Sequence, residues 1–171
     1  MRLTGTSYAV LALVELLGQA TPYDLKQHLE RSIENFWPVP HTTSYAEPER
    51  LAEAGLLSVQ QEQTGRRRKL YELTDSGREE LREWAASPRL AAPQVREEGV
   101  LKIFAGADPL PILRERLEWH RAKLSELEGY LAAAGEAESL QGVRNCLQVG
   151  IGYERAIVEA LDRALASQPQ D

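Results

Sequence analysis

One cysteine, Cys146, and three histidines, His28, His41 and His120, are the only thiol and imidazole groups in 171 residues. A single thiol cannot form an intramolecular disulfide, and histidines so scattered do not have the spacing of a structural zinc site, so neither a metal nor another cofactor is expected. Long apolar runs are also missing. The longest, Tyr8 to Leu17, is interrupted by Glu15 and is about half of the roughly 20 residues a membrane span requires. It reads as a buried first helix, and with Arg2 as its meagre basic flank and no small-residue cleavage site after it, no leader sequence is expected. The chain also lacks a Gly-rich phosphate loop, a His/carboxylate cluster at metal spacing and a nucleophile motif, so an enzyme is not expected. Finally, positive charge is short: 20 Lys and Arg stand against 26 Asp and Glu, for a net charge of −6 and a pI of about 5.2. On averages alone that argues against a nucleic-acid ligand. What remains, 43% apolar and 27% charged, is a globular composition with a core to bury, in one domain or two small ones. A cytoplasmic protein with no membrane partner is expected.

Three short helices are expected in the first 55 residues. Thr6 or Ser7 can cap the first, ending near Gly18. Thr21 followed by Pro22 is an N-cap with proline at the first helical position, opening a helix to about Arg31 that sets Tyr23, Leu25 and Leu29 against the first. Phe36-Trp37-Pro38-Val39-Pro40 is then an aromatic loop, since two prolines disfavour helix. Thr42, Thr43 or Ser44 can cap a third helix that stops at Gly55.

The period then changes from helical to alternating. Leu57–Gln63 and Lys69–Leu73 read as two strands joined by Thr64-Gly65-Arg66-Arg67-Arg68, a hairpin with a basic tip. Thr74 can cap a fourth helix from Asp75 to about Ala86, with Leu81 and Trp84 on its buried side. Pro88 and Pro93 mark a linker. The order helix, helix, helix, two-stranded wing, helix describes a winged helix-turn-helix domain over residues 1–86, followed by a linker at 87–93 and an all-α arm at 94–171. The fold class is mainly α with a single two-stranded β wing.

In the arm, helices are expected over roughly Gln94 to Phe104, Pro109 to Ala134 behind an Asp108 cap, and Glu138 to Ala166. Leu113, Leu117, His120, Leu124, Leu127, Leu131 and Ala134 form a heptad seam in the middle helix. The last helix carries two stripes. Val143, Cys146, Gly150, Tyr153, Ile157, Ala160 and Ala164 form one, and Leu140, Leu147, Ile151, Val158, Leu161 and Leu165 a second about 100° away. So wide an apolar face requires two neighbours, and a short arm supplies few within one chain. A homodimer is therefore expected, with Leu140, Val143, Leu147, Gly150, Ile151, Tyr153, Ile157, Val158 and Leu161 in its interface. His120 reads as a core or interface histidine rather than a catalytic base, and Cys146 as a buried, inert thiol rather than a redox sensor.

The acidic average is spread evenly, each half of the chain carrying ten basic and thirteen acidic residues. Four cations are nonetheless consecutive, Arg66, Arg67, Arg68 and Lys69, at the expected hairpin tip. Within a Debye length of roughly 8–10 Å such a local cluster outweighs the average. Three helices before a wing have the layout that sets a helix in a major groove with the wing beside it.

These residues carry a resemblance. Thr6-Ser7-Tyr8-Ala9-Val10-Leu11-Ala12-Leu13, Tyr23-Asp24-Leu25-Lys26, Phe36-Trp37-Pro38, Ser44-Tyr45, Arg50 to Leu57, and Arg67 to Arg78 with its Tyr-x-Leu-Thr-x-x-Gly run resemble the PadR family of transcriptional regulators. The likeness covers about the first 86 residues, and the arm matches in length and pattern only. It implies a homodimeric winged-helix protein, usually a repressor, that releases its operator when a signal is sensed. On that reading Thr42, Thr43 and Ser44 present hydroxyls and NH groups to phosphate at the start of the recognition helix. Tyr45 and Arg50 reach outward to phosphate or base edges, and Arg66, Arg67, Arg68 and Lys69 grip double-stranded DNA from the wing. Trp37, Trp84, Phe104 and Trp119 are candidates to line a pocket for a small aromatic or hydrophobic effector between arm and winged domain. Two features depart from the family pattern. Pro48 stands where a core leucine is common and is expected within the first turn of the recognition helix, and Glu47 and Glu49 flank it, where carboxylates disfavour phosphate although a Glu can accept from a cytosine amino group. The alternatives are a non-DNA protein-interaction adaptor on the same fold and, more remotely, an enzyme using His120 or Cys146.

Overall fold

The computed structural model describes residues 2–33, 36, 37, 39, 43–61, 68–88, 90, 92–93 and 95–168. Ten elements follow in order: α1 (Gly5–Leu17), α2 (Pro22–Arg31), α3 (Thr43–Glu53), β1 (Leu57–Gln61), β2 (Lys69–Leu73), α4 (Asp75–Ala86), α5 (Glu98–Phe104), α6 (Pro109–Ala133), a 3₁₀ turn (Glu138–Leu140) and α7 (Gln141–Ala166). They divide into two compact units, Met1–Leu90 and Ala91–Asp171. The mainly helical fold with one two-stranded sheet is the class expected from the sequence.

The first helix begins earlier than expected. Thr4, not Thr6 or Ser7, is its N-cap: Thr4 Oγ1 accepts from the Ser7 NH and Ser7 Oγ accepts from the Thr4 NH. Ser7 is thus the third helical residue of a capping box, satisfying two otherwise orphaned donors. Thr21 caps α2 in the same way with Asp24, behind Pro22. Hydrogen bonds from the Thr21 hydroxyl and then its NH hold the Asp24 carboxyl below the usual carboxylate range. A carboxyl depressed in the folded state contributes stability above its unfolded value of about 3.9 and loses it as the pH falls through the folded one. Asp24→Asn should therefore cost about 1 kcal/mol at pH 7, a gap that closes as acidification carries the pH through the lowered folded value. Chemical denaturation of both proteins across that range checks it.

The core of the first unit takes Val10, Leu11, Leu13 and Val14 from α1, Leu25 and Leu29 from α2, Leu51 from α3, Leu57 from β1, and Tyr71 and Leu73 from β2. Tyr23, expected against α1, is exposed, one residue off the Leu25/Leu29 stripe. The strands pair antiparallel, Leu57 opposite Leu73, Val59 opposite Tyr71 and Gln61 opposite Lys69. Ala20, between α1 and α2, exchanges both backbone hydrogen bonds with Tyr71. This third rung ties the wing to the helices, support that an isolated two-stranded sheet requires. The expected strand residues Glu62 and Gln63 and the hairpin turn at 64–67 lie outside the described residues.

Two hinge points position α3 and α4. Gly55 adopts a left-handed φ of 75° just beyond α3, which favours glycine. Thr74 donates its hydroxyl to the Gly55 carbonyl at 2.7 Å and accepts from the Gly77 NH at 3.0 Å. One side chain therefore joins the turn after α3 to the start of α4. Trp84, expected to be buried on α4, is half exposed, because it packs flat on the Tyr8 ring (4.4 Å, 7°) at the edge of the unit and not in its core. Tyr8 also donates to Glu80, and partial burial together with that carboxylate pushes its hydroxyl up to about 12.

In the second unit α5 starts at Glu98, later than expected, because the Glu97 carboxylate caps it by accepting from the Gly99 NH. α6 and α7 form an antiparallel hairpin, cross-linked by His120–Glu154, Arg121–Asp162 and Arg155–Glu128. Leu113, Leu117, His120 and Leu127 of the expected heptad seam are buried. Both ring nitrogens of His120 are engaged, by Glu154 at 2.6 Å and Arg116 at 3.2 Å. Arginine can only donate, so Nε2 accepts from Arg116 and the imidazole proton sits on Nδ1, facing Glu154. Cys146 is exposed, which corrects the expectation of a buried thiol. No helix among the described residues is long and apolar enough to cross a membrane.

Candidate nucleic-acid interface

The sequence of α3 separates its two faces. Ser44, Pro48 and Leu51, spaced four and three apart, point into the core, whereas Tyr45, Ala46 and Glu49 face solvent. Tyr45 is 53% exposed. Pro48 is the sixth helical residue, not a first-turn residue as expected, since the helix already begins at Thr43. Its missing NH would have bonded the Ser44 carbonyl, so α3 carries a proline inside its hydrogen-bond ladder and continues through it to Glu53.

The wing meets this exposed face at its base. Lys69, the first residue of β2, pairs through Nζ with the Glu49 carboxylate. Arg68, immediately before it, is exposed, and its charge contributes to holding Asp24 ionised on α2. Tyr45, Glu49 and Lys69 thus share one polar side of the unit. Thr42, Arg66 and Arg67 lie outside the described residues, and Thr43 is half-buried in the first turn of α3.

Two expected contacts are corrected. Ser44 is only 2% exposed, because its position in the helical period is the same as that of Pro48 and Leu51, so its hydroxyl is turned away from the solvent face. Arg50 does not reach outward freely. Its guanidinium donates from Nε to Glu47 Oε2 at 2.9 Å, pairs through Nη2 with Oε1 of the same carboxylate, and donates from Nη2 to Ser7 Oγ at 2.9 Å. Burial works against the Glu47 charge, but hydrogen bonds from Arg50 and Ser7 outweigh it and keep the carboxyl below its ordinary range. Arg50 therefore fastens α3 to the fully buried Ser7 of α1. The Glu47-x-x-Arg50 spacing signals such an ion pair on a helix. The Glu49–Lys69 pair, twenty residues apart, has no sequence signal.

The aromatic candidates fall two to a unit. On the first, Trp37 donates from Nε1 to Thr6 Oγ1 at 3.2 Å and lies against Gly5, while Trp84 stacks on Tyr8. On the second, Trp119 is half exposed, edge-on to His120 and under the Arg116 guanidinium, and Phe104 is 88% exposed. The expected dimer stripe also divides. Ile151 is 5% exposed and already covered within its own unit, so it has little surface left for a partner. Leu140, Val143, Leu147, Gly150, Val158 and Leu161 are half-buried. Tyr153 and Ile157 are exposed, joined by Val149, which was not expected there. Among the described residues no group of three or more His, Cys, Asp or Glu is placed to hold a metal ion.

Residues 10–83 match the model of the transcriptional regulator PadR-like family. The negative transcriptional regulator PadR of Bacillus subtilis (strain 168) is 28% identical over 166 residues, covering 91% of this chain and 87% of that protein. The crystal structure of B. subtilis PadR in complex with operator DNA superposes with a TM-score of 0.84 at 25% identity, over 98% of this chain and 99% of that one. The complex of the same protein with p-coumaric acid gives a TM-score of 0.75, again at 25% identity, over 94% and 96% of the two chains.

Proposed function

This chain belongs to the PadR-like family of transcriptional regulators, and from that membership we propose that it is a sequence-specific DNA-binding regulator, a repressor acting as a homodimer, and not an enzyme. The observation that carries the reading is the solvent face of α3, with Tyr45 and Glu49 set beside Lys69 at the base of the wing. A helix of this kind enters the major groove while the wing holds the backbone. Residues 1–86 bind the duplex, with Thr42, Thr43, Tyr45, Arg66, Arg67, Arg68 and Lys69 at the contact. Residues 94–171 dimerise through the bare apolar surface of α7 around Tyr153 and Ile157, which matches two reading helices to two half-sites. The adaptor alternative loses ground because the two carboxylates that would disfavour phosphate, Glu47 and Glu49, are neutralised by Arg50 and Lys69.

A small aromatic or hydrophobic effector completes the proposal. It is supported by the relative solved with p-coumaric acid and by the exposed rings of Trp37, Trp84, Phe104 and Trp119. The protein would act in the cytoplasm, where its DNA lies. The test is fluorescence-anisotropy titration of duplex DNA from upstream of the protein's own gene against a random duplex, with sedimentation to count chains. Two chains per duplex and a clear preference for the upstream DNA are expected. Equal affinity for both duplexes would favour the adaptor.

A further inference from the structure

We propose that Glu49 is a specificity-determining residue: it holds Lys69 away from phosphate in the free protein and penalises random duplex, a penalty that the operator offsets by giving the carboxylate a base amino group to accept from. This rests on the DNA-binding reading above. Glu49 and Lys69 are about equally exposed, with 54% and 46% of their side chains open to solvent, so both are open to a ligand that approaches α3. The pairing is repeated across the same side of the unit. Arg50 is held by both oxygens of Glu47. Each of these cations therefore comes with a carboxylate, and phosphate must displace it.

Glu47 and Glu49 differ in what displacement would cost. The Glu47–Arg50 pair also grips Ser7 in the core and is part of the fold. Glu49–Lys69 joins two exposed side chains and can open without disturbing packing. Exchanging a carboxylate for a phosphate on Lys69 replaces one ion pair with another and leaves Glu49 facing the negative backbone. On random DNA nothing relieves that repulsion. In a major groove the cytosine N4 amino group can, by donating to the carboxylate. A chain whose net charge is already −6 would in this way suppress phosphate-driven binding and keep base-directed binding.

The experiment compares wild type, Glu49→Gln, Lys69→Gln, the double variant and Glu53→Gln on random and own-upstream duplexes between 50 and 200 mM salt. Glu53→Gln makes the same charge change four residues along the exposed side of α3. With Lys69 released, Glu49→Gln should bind random duplex roughly 2- to 30-fold more tightly at 50 mM, from two exposed pairs per dimer at the usual strength of such pairs. Its salt slope should steepen by about 0.9 per subunit. The ratio of upstream to random affinity should fall, and the gain should shrink in the Lys69→Gln background to what removing the Glu49 repulsion alone supplies. An unchanged random-duplex affinity and slope, an equal gain from Glu53→Gln, or a gain undiminished by loss of Lys69 would each overturn the proposal while leaving DNA binding intact. Failure of every protein to bind any duplex at 50 mM would overturn the DNA-binding reading and this one with it.

Discussion

Gly77→Ala is expected to destabilise the first unit by about 3 kcal/mol or more, the upper end of what overpacking costs. A Cβ at this position would lie 2.1 Å from the Leu56 carbonyl oxygen and 2.8 Å from Leu73 Cδ2. The first of these neighbours is backbone and is itself fixed, since the Leu56 carbonyl accepts from the Thr74 NH at 3.1 Å and lies beside the Gly55–Thr74 contact. It cannot move aside without pulling α4 away from the turn after α3. The usual gain of about 1 kcal/mol for replacing a helical glycine by alanine is too small to compensate. For a unit of this size each kcal/mol moves the melting temperature by about 4–8 °C, so a drop of roughly 12 °C or more is expected in a thermal melt followed by circular dichroism. Gly129→Ala on α6 is the contrast: nothing lies within 4 Å of the Cβ it would add, and this variant should be as stable as the parent or slightly more so. Equal melting temperatures for Gly77→Ala and the parent would contradict the packing of α4 on the α3 turn.

The second large effect concerns salt. On the upstream duplex, with four cations per subunit, Arg66, Arg67, Arg68 and Lys69, the proposed dimer would make about eight phosphate contacts, and affinity should fall by about 10³ to 10⁵ between 50 and 200 mM salt. Replacing Arg66, Arg67 and Arg68 by Ala leaves one wing cation per subunit. The logarithmic slope should then flatten from about −7 to about −2. Dimer formation, governed by the other unit, should not change. An unaltered slope would remove the wing from the DNA contact. Two of these arginines are assigned from the sequence run alone, whereas Arg68 and Lys69 also have their places beside α2 and α3 in the structure.

How far the fold was legible depended on whether a signal was local. Thr21-Pro22, Thr74-Asp75 and Asp108-Pro109 announce helix starts because capping is satisfied within three residues, and all three helices begin there. The start of α1 is ambiguous in the sequence for a physical reason. Thr4, Thr6 and Ser7 are all competent caps, and only the reciprocal bond between Thr4 and Ser7 decides among them. The Tyr-x-Leu-Thr-x-x-Gly run acquires a physical reason at each position: Tyr71 and Leu73 fill the core, Thr74 caps α4 and bridges to Gly55, and Gly77 leaves room for a carbonyl.

The candidate site was less legible, because what a charged side chain does depends on its partner across space. Arg50 looked like a reader of DNA and proves to be a fastener between α3 and α1. Ser44 looked like an exposed cap and lies in the core, an outcome that the Ser44, Pro48, Leu51 spacing already contained. The two glutamates that seemed to oppose DNA binding are each neutralised, one by a neighbour three residues on and the other by the wing. The net charge of −6 therefore does not exclude a DNA-facing surface, and it favours weak binding to unrelated sequence.

That contrast between related and unrelated sequence is what the account must deliver. The most direct measurement is the ratio of affinities for the protein's own upstream duplex and a random duplex of equal length, taken at a single salt concentration near physiological. Specific regulators separate the two by about 10³ or more, and with its acidic average and self-paired cations this chain should fall in that range. A ratio near one, with dimer formation intact, would contradict the account.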